Sequence, residues 1–333
     1  MRFCFLLANV FEQQVRALAA APAIRRKRAA GRALQRLADV ADFGRTVAGP
    51  GDDAAVLRKA GFQGYLLLAA DSVLSSLVEQ CPREAGRAAV LVNANDIYAM
   101  GGRPVAMVNV LAGLSEDQQD EVCAGMRLEC HRLGIPMVGG HVSPEGREPF
   151  VAVSVLGEAR RLLEDRRAGP GEKILLAVDL RGRRWGDGIL NWDSHEAKGP
   201  ETLQADLGIL CSLAEEKLCT AARDVSNAGI LGTLALLLER AGLGAEVFLD
   251  RVVVPRGFDL FEWLQTYPSY GFLLLCQAGR ESQVLGRFEE RGIWAAEIGV
   301  TDRSRVVRLR LAEQEALFMD FRREGILSSP GES

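Results

Sequence analysis

The sequence is short of the residues that mark the commonest sites. It holds three histidines in 333 residues, none of them spaced i, i+4, which argues against a helical histidine metal site. Its seven cysteines are scattered and never form CxxC, so neither a zinc site nor a disulfide framework is indicated. No GxxxxGK followed by Ser or Thr occurs, and no GxGxxG follows a strand, which removes the P-loop and the dinucleotide fingerprint. The protein-kinase motif set is missing as well. Nothing approaches the roughly 20 consecutive apolar residues that span a bilayer. The opening stretch MRFCFLLANVFEQQ is too short and too interrupted by Glu12 and glutamines for a leader, and reads as a structured helix. Together these absences predict a protein of the reducing cytoplasm with no membrane partner.

Apolar residues make up 48% of the chain and charged residues 25%, an ordinary balance for a globular protein, and the length predicts two packed domains. Residues 1–40 carry eight Lys/Arg against Glu12 and Asp39 and read as a separate helical segment. Within it, Arg25-Arg26-Lys27-Arg28 reads as a solvated helix face, since no nucleic-acid motif accompanies it; no nucleic-acid partner is expected. Gly169-Pro170-Gly171 is the best linker, which divides the rest into domains at 41–165 and 168–320. Helices are predicted at 84–100, 116–133 (with Ser115 as N-cap), 201–218, 228–240, 257–265 and 281–291. Apolar strands are predicted at 65–70, 105–111, 136–140, 150–157, 174–178, 245–249, 271–276, 296–300 and 306–311. Strands and helices alternate irregularly, with strands in consecutive pairs, so the fold class is α/β with α+β character.

Chemistry is suggested by aspartates in unusual settings. Gly51-Asp52-Asp53 sets two carboxylates after a glycine and before the apolar run Ala54-Ala55-Val56, Asp71 follows the strand YLLLAA, and Asp224 precedes a helix. Asp96 is the most informative: AAVLVNANDIYAMGG is apolar nearly all round, and a buried carboxylate costs several kcal/mol unless paired or bound to a cation. Arg87, Arg103 or a backbone amide could satisfy it instead. Asp52 and Asp53 could be turn residues, and Asp71 and Asp224 could be caps. Collectively, carboxylates at strand and helix ends could hold Mg2+ and a polyphosphate without a P-loop. Gly139-Gly140-His141 ends a strand where a ligand could approach backbone, His141 being either a phosphate donor or a loop residue. The irregular stretch 181–200 and its surroundings offer Trp185, Trp192, His195, Ser226, Asn227, Ser269 and Tyr270 as candidate substrate contacts.

GDDAAV at 51–56, Asp71, NANDIYAMGGRPVAMVNVL at 93–111, GGH at 139–141 and RDVSNAGILGTL at 223–234 resemble the AIR synthetase-related superfamily over residues 45–310. That group includes aminoimidazole ribonucleotide (AIR) synthetase, thiamine-monophosphate kinase, selenophosphate synthetase and a hydrogenase-maturation dehydratase. The resemblance implies a two-domain homodimer with N-terminal domains forming a β-barrel interface, a C-terminal α/β domain, and ATP with Mg2+ between domains. It implies metal-phosphate roles for Asp52, Asp53, Asp71, Asp96 and Asp224, and nucleotide contacts from Gly51, Asn93, Gly139, Gly140 and His141. The implied activity is phosphoryl transfer to a small molecule; a non-catalytic nucleotide-binding partner subunit is the alternative. The sequence departs from the known branches. Cys4 and Lys27 lack the glycine-rich setting of the selenophosphate synthetases, His141 replaces the acidic residue of GGD or GGE, and Tyr267–Gly271 stands near the acidic stretch of the kinases.

Overall fold

In the computed structural model, which describes residues 2–49, 51–58, 61, 63–184 and 190–327, two helices lead the chain. These are α1 (Arg2–Ala19) and α2 (Pro22–Gln35), the second with Pro22 in its first turn, where the absent N–H is no loss. Phe11, Val15 and Leu18 of α1 are buried at helical spacing, Phe11 meeting Phe261 edge-on at 6.2 Å, and Ile24 of α2 packs over Gly232. The leading segment thus belongs to the core of the second half of the chain.

The first sheet contains β1 (Thr46–Ala48), β2 (Ala55–Leu57), β3 (Tyr65–Ser72), β4 (Arg103–Ala112), β5 (Met137–Ser143) and β6 (Phe150–Ala159), in the order β1-β2-β3-β6-β4-β5. All pairs are antiparallel except β4 with β5. Helices α3 (Ser75–Gln80), α4 (Pro82–Ala99) and α5 (Glu116–Leu133) are threaded between these strands. Ser115 is the N-cap of α5 as predicted, and the structure completes it as a capping box: Ser115 and Gln118 exchange side chain-to-backbone bonds. α4 and α5 cross almost backbone to backbone. A Cβ at Gly86 would stand 2.0 Å from the Val122 carbonyl oxygen, and one at Gly125 2.0 Å from that of Arg83.

Val151, Val153 and Val155 of β6 and Met107 and Leu111 of β4 turn inward to the helices, as the two-residue period of a strand requires. The outward face carries Leu68, Val108, Val110, Phe150 and Leu156, all exposed. The sheet is open within one chain, with β1 and β5 at its edges, so the expected barrel does not close here.

The second half holds β7 (Lys173–Val178), β8 (Asn191–Trp192), α6 (Pro200–Glu215), β9 (Ala221–Asp224), α7 (Gly229–Ala241), β10 (Gly244–Phe248), α8 (Leu260–Gln265), β11 (Tyr267–Pro268), β12 (Gly271–Cys276), α9 (Glu281–Glu289), β13 (Trp294–Asp302), β14 (Val306–Leu311) and β15 (Gln314–Asp320). Seven strands form one sheet, ordered β15-β14-β10-β13-β7-β12-β9, while β8 and β11 pair separately. One apolar core is continuous from α4 and α5 through α6 to one face of this sheet; a second lies on its other face with α7 and α1. The two halves are therefore packed together, as a mixed α/β two-domain protein. A buried ionic seam reinforces the junction. Arg87 of α4 bonds Glu129 at 3.2 Å and approaches Asp193 at 3.4 Å, and Arg132 of α5 bonds Glu129 and the carbonyls of His195 and Lys198. Among the described residues no helix is long and apolar enough to cross a membrane.

Candidate metal-phosphate site

Three carboxylates from remote parts of the chain converge where the halves meet. One oxygen each from Asp53, Asp96 and Asp224 lies within 4.8 Å of the other two. Asp53 is presented by the turn before β2, where Gly51 takes φ +112°, a conformation that side chains disfavour. Asp96 projects from the last turn of α4, and Asp224 ends β9. Asp71, near the end of β3, is held from behind: its N–H donates to Asn93 Oδ1 at 3.0 Å, while Asn93 Nδ2 donates to the Ala89 carbonyl at 2.8 Å. Asn93 is fully buried. It positions the β3 end against α4, and the nucleotide contact expected of it is not available.

The electrostatics follow from that crowding. Burial pushes the Asp96 carboxyl well above the usual carboxylate range, and the charges of Asp224, Asp53 and Asp71 push it further. Asp224 is raised in the same way, by burial and then by Asp53. Asp53 is raised to about 6, burial and Asp52 outweighing the pull of Arg223 and Lys27. Among the described residues neither Asp96 nor Asp224 has an ion-pair partner. Clustered hard oxygens held at a protonation cost are the donor set that Mg2+ takes, so the residues present fit such an ion.

Asp52 stands one layer back. Its Oδ1 accepts from the Asp53 N–H at 3.0 Å and lies 3.7 Å from Arg223, and its Oδ2 accepts from the Asp165 N–H at 3.4 Å. It is a support for the turn and is absent from the converging trio. Behind it sits a residue that sequence reading did not single out. The buried Arg223 guanidinium donates to Asp165 at 2.7 Å, to Asp53 at 3.2 Å and to the Gly51 carbonyl, tying turn, β9 and the segment before β7 together. Asp165 was likewise missed; nothing in its local sequence distinguishes it from a surface turn residue. Lys27 requires a correction. It is half-buried where a fully solvated side chain was expected, and its charge acts against the upward shifts of Asp53, Asp96 and Asp224.

The glycine pair and His141 lie elsewhere. Asp71 pairs across β6 at Val153, Val153 with Asn109 on β4, and Asn109 with Gly140 on β5. Three strand spacings separate Asp71 from Gly140, about 14 Å. Gly140 is small because a Cβ would meet Asn109 Oδ1 at 2.2 Å. His141 pairs with Val110, on the outward face, and is exposed. Gly139, Gly140 and His141 therefore do not join the carboxylates within one chain.

Of the expected substrate contacts, Ser226, Asn227 and Ser269 line a small cavity whose wall also contains Asp71 and Asp224. Trp192, His195 and Tyr270 do not reach it. Trp192 is buried edge-on against Phe258 and Trp263 with its N–H on the Asp179 carbonyl, and Tyr270 is fully buried with its hydroxyl on the Asp206 carbonyl. His195 is fully buried beside Glu129, with burial holding its pKa below the ordinary value. Trp185 lies outside the described residues.

Comparisons with known proteins agree with this architecture. Residues 51–159 match the family described as AIR synthase related protein, N-terminal domain, and residues 184–312 match the corresponding C-terminal domain. An uncharacterised protein of Synechocystis sp. is 38% identical over 85% of this chain and 87% of its own length. Among solved structures, T. maritima PurL complexed with ADP superimposes with a TM-score of 0.70 at 20% identity, covering 87% of this chain and 48% of that one. AaThiL complexed with AMPPCP and TMP gives 0.60 at 18% identity, covering 81% of this chain and 91% of that one. This chain thus spans about half the length of the PurL chain, and both likenesses are of fold. With matched domains on either side of the carboxylate cluster, the chain belongs to the AIR synthase-related family.

Proposed function

We propose that this protein binds ATP with Mg2+ at Asp53, Asp96 and Asp224, assisted by Asp71, and transfers a phosphoryl group to a small molecule. The observation that carries the reading is the convergence of three carboxylates within 4.8 Å, without ion-pair partners for two of them. When bound, magnesium would neutralise the polyphosphate and allow an in-line approach to it. The chain's own part is placement and charge. The Arg223 fork fixes the Asp53 turn, Asn93 fixes Asp71, and Lys27 adds a positive charge on the α2 side of the cluster. The cavity beside Asp71 and Asp224 is the place for the acceptor. Nucleotide complexes of the fold neighbours, PurL with ADP and ThiL with AMPPCP, support the same reading.

The outward face of the first sheet supports a homodimer. Leu68, Val108, Val110, Phe150 and Leu156 leave an apolar surface that a second copy would cover. The free cysteines among the described residues suit a reducing cytoplasm. The test is calorimetry of Mg-ADP binding together with ATP turnover across a panel of small metabolites. Magnesium-dependent binding with turnover on one acceptor supports the proposal, and absence of binding refutes it. Binding without turnover on any acceptor would favour a nucleotide-holding partner subunit.

A further inference from the structure

The acceptor cavity carries a chemical signature of its own. Asn95, Asn191 and Asn227 all line it, and the side-chain oxygen of each is shut off from solvent with no hydrogen-bond partner among the described residues. Two of these amides are oriented by their other end. Asn95 Nδ2 donates to the Ser269 carbonyl at 3.0 Å, and Asn191 Nδ2 faces the Tyr267 carbonyl at 3.5 Å. Flipping either amide would set oxygen against oxygen, so both must present an acceptor. The charged groups in the wall, Asp71 and Asp224, make no hydrogen bond to any of the three oxygens. Much of the remaining wall is apolar, including Leu74, Leu77 and Leu91. Stranded buried acceptors are rare in folded proteins and ask for an explanation at each occurrence; three around one cavity ask for a shared one.

We propose that the acceptor substrate presents a donor-only nitrogen group, an ammonium, an amidine or an amino-substituted ring edge, to the oxygens of Asn95, Asn191 and Asn227. Its apolar body then rests on Leu74, Leu77 and Leu91. This rests on the phosphoryl-transfer reading for the word acceptor, but the recognition is independent of it. The cavity of about 80 Å3 suits a small polar head. It adjoins a pocket of about 320 Å3 through the shared residues Leu74, Leu77, Asn227 and Tyr267, which leaves room for the rest of the molecule.

Benzamidine, which only donates through its amidine, and benzoate, which only accepts, have nearly the same shape and form the test pair. By calorimetry we expect benzamidine to bind at one site and benzoate at least about tenfold more weakly. Asn95→Leu and Asn191→Leu should each weaken benzamidine by about tenfold while Mg-ADP affinity stays unchanged. Both variants retain Asp71 and Asp224, so such a loss separates the amide oxygens from simple attraction to carboxylates. Should either variant misfold, Asn227→Leu and a benzamidine-soaked crystal of the unaltered protein decide, the amidine lying on at least two of the three oxygens. Equal affinity for the pair, no benzamidine binding, or indifference to the leucine substitutions would overturn the proposal. Failure of Mg-ADP to bind the unaltered protein would instead strike the phosphoryl-transfer reading and leave benzamidine selectivity to be read separately.

Discussion

Asp96→Asn should move two properties in opposite directions. Two unit charges 4.8 Å apart interact by about 3.5 kcal/mol at an effective dielectric near 20, and Asp96 has such a neighbour in both Asp53 and Asp224. Proton sharing relieves much of this in the metal-free protein, since burial and like charge raise all three carboxyls. Removing one carboxylate should still stabilise the metal-free fold by about 2 kcal/mol, or about 3 °C in Tm for a chain of this size. The same change removes a hard oxygen ligand. Scanning calorimetry of chelator-treated protein, repeated with Mg2+ and ADP, reads both effects. We expect the variant to melt higher than the unaltered protein without metal, and to gain little when Mg-ADP is added. A variant that melts lower without metal, or that still gains the full increment with Mg-ADP, would refute the like-charge cluster as drawn.

Arg223→Met leaves Asp165 and Asp53 buried without their partner and should cost about 3–5 kcal/mol in urea unfolding. Asp53 has its carboxyl raised from 3.8 to about 6, and a proton there competes with metal. Mg2+ affinity measured by calorimetry should therefore fall as pH drops through about 6, by up to about tenfold per unit for the Asp53 proton alone, and the protons raised on Asp96 and Asp224 add to that competition. The same shift has the opposite sign for the metal-free fold, whose contribution from Asp53 is present below the ordinary carboxylate pKa and lost as pH rises through about 6. Lys27→Ala should weaken Mg-ADP binding by about tenfold, about 1.4 kcal/mol, in the same calorimeter. Leu156→Arg on the outward sheet face should convert a dimer to a monomer in sedimentation, with unfolding of the monomer changed by no more than about 0.5 kcal/mol.

The elements legible in the sequence were those with a strong period or clear punctuation. The helix predicted at 116–133 is α5, and the strand at 271–276 is β12. β1 and β9 were not recognised as strands, because three or four residues cannot display a repeat. In the site, Asp96 stood out because a carboxylate in an apolar helix demands an explanation. Asp52 and Asp53 looked equivalent, and only the turn geometry sends one forward to Asp96 and Asp224 and the other back to the Asp165 N–H. Arg223 was hidden for the converse reason. One arginine before an aspartate is unremarkable until three carboxyl groups from elsewhere are seen around it. Lys27 was lost among three arginines, since a run of like charges does not say which member turns inward. Asn93 and His141 carried motif positions, but hydrogen bonding from α4 makes the first a clamp on β3 and strand pairing sends the second to the outward face.

Gly86 and Gly125 let α4 and α5 touch through their main chains, and the two helices have no side-chain cushion on which to slide. They form one stiff plate. One end of that plate bears Asp96, and its far side grips the 193–198 loop through Arg87, Glu129 and Arg132. A pull on Asp96 would thereby reach the loop as a rigid-body tilt, and any opening of the cavity beside Asp71 and Asp224 would have to come from parts outside the plate, such as α3 and the 225–228 turn.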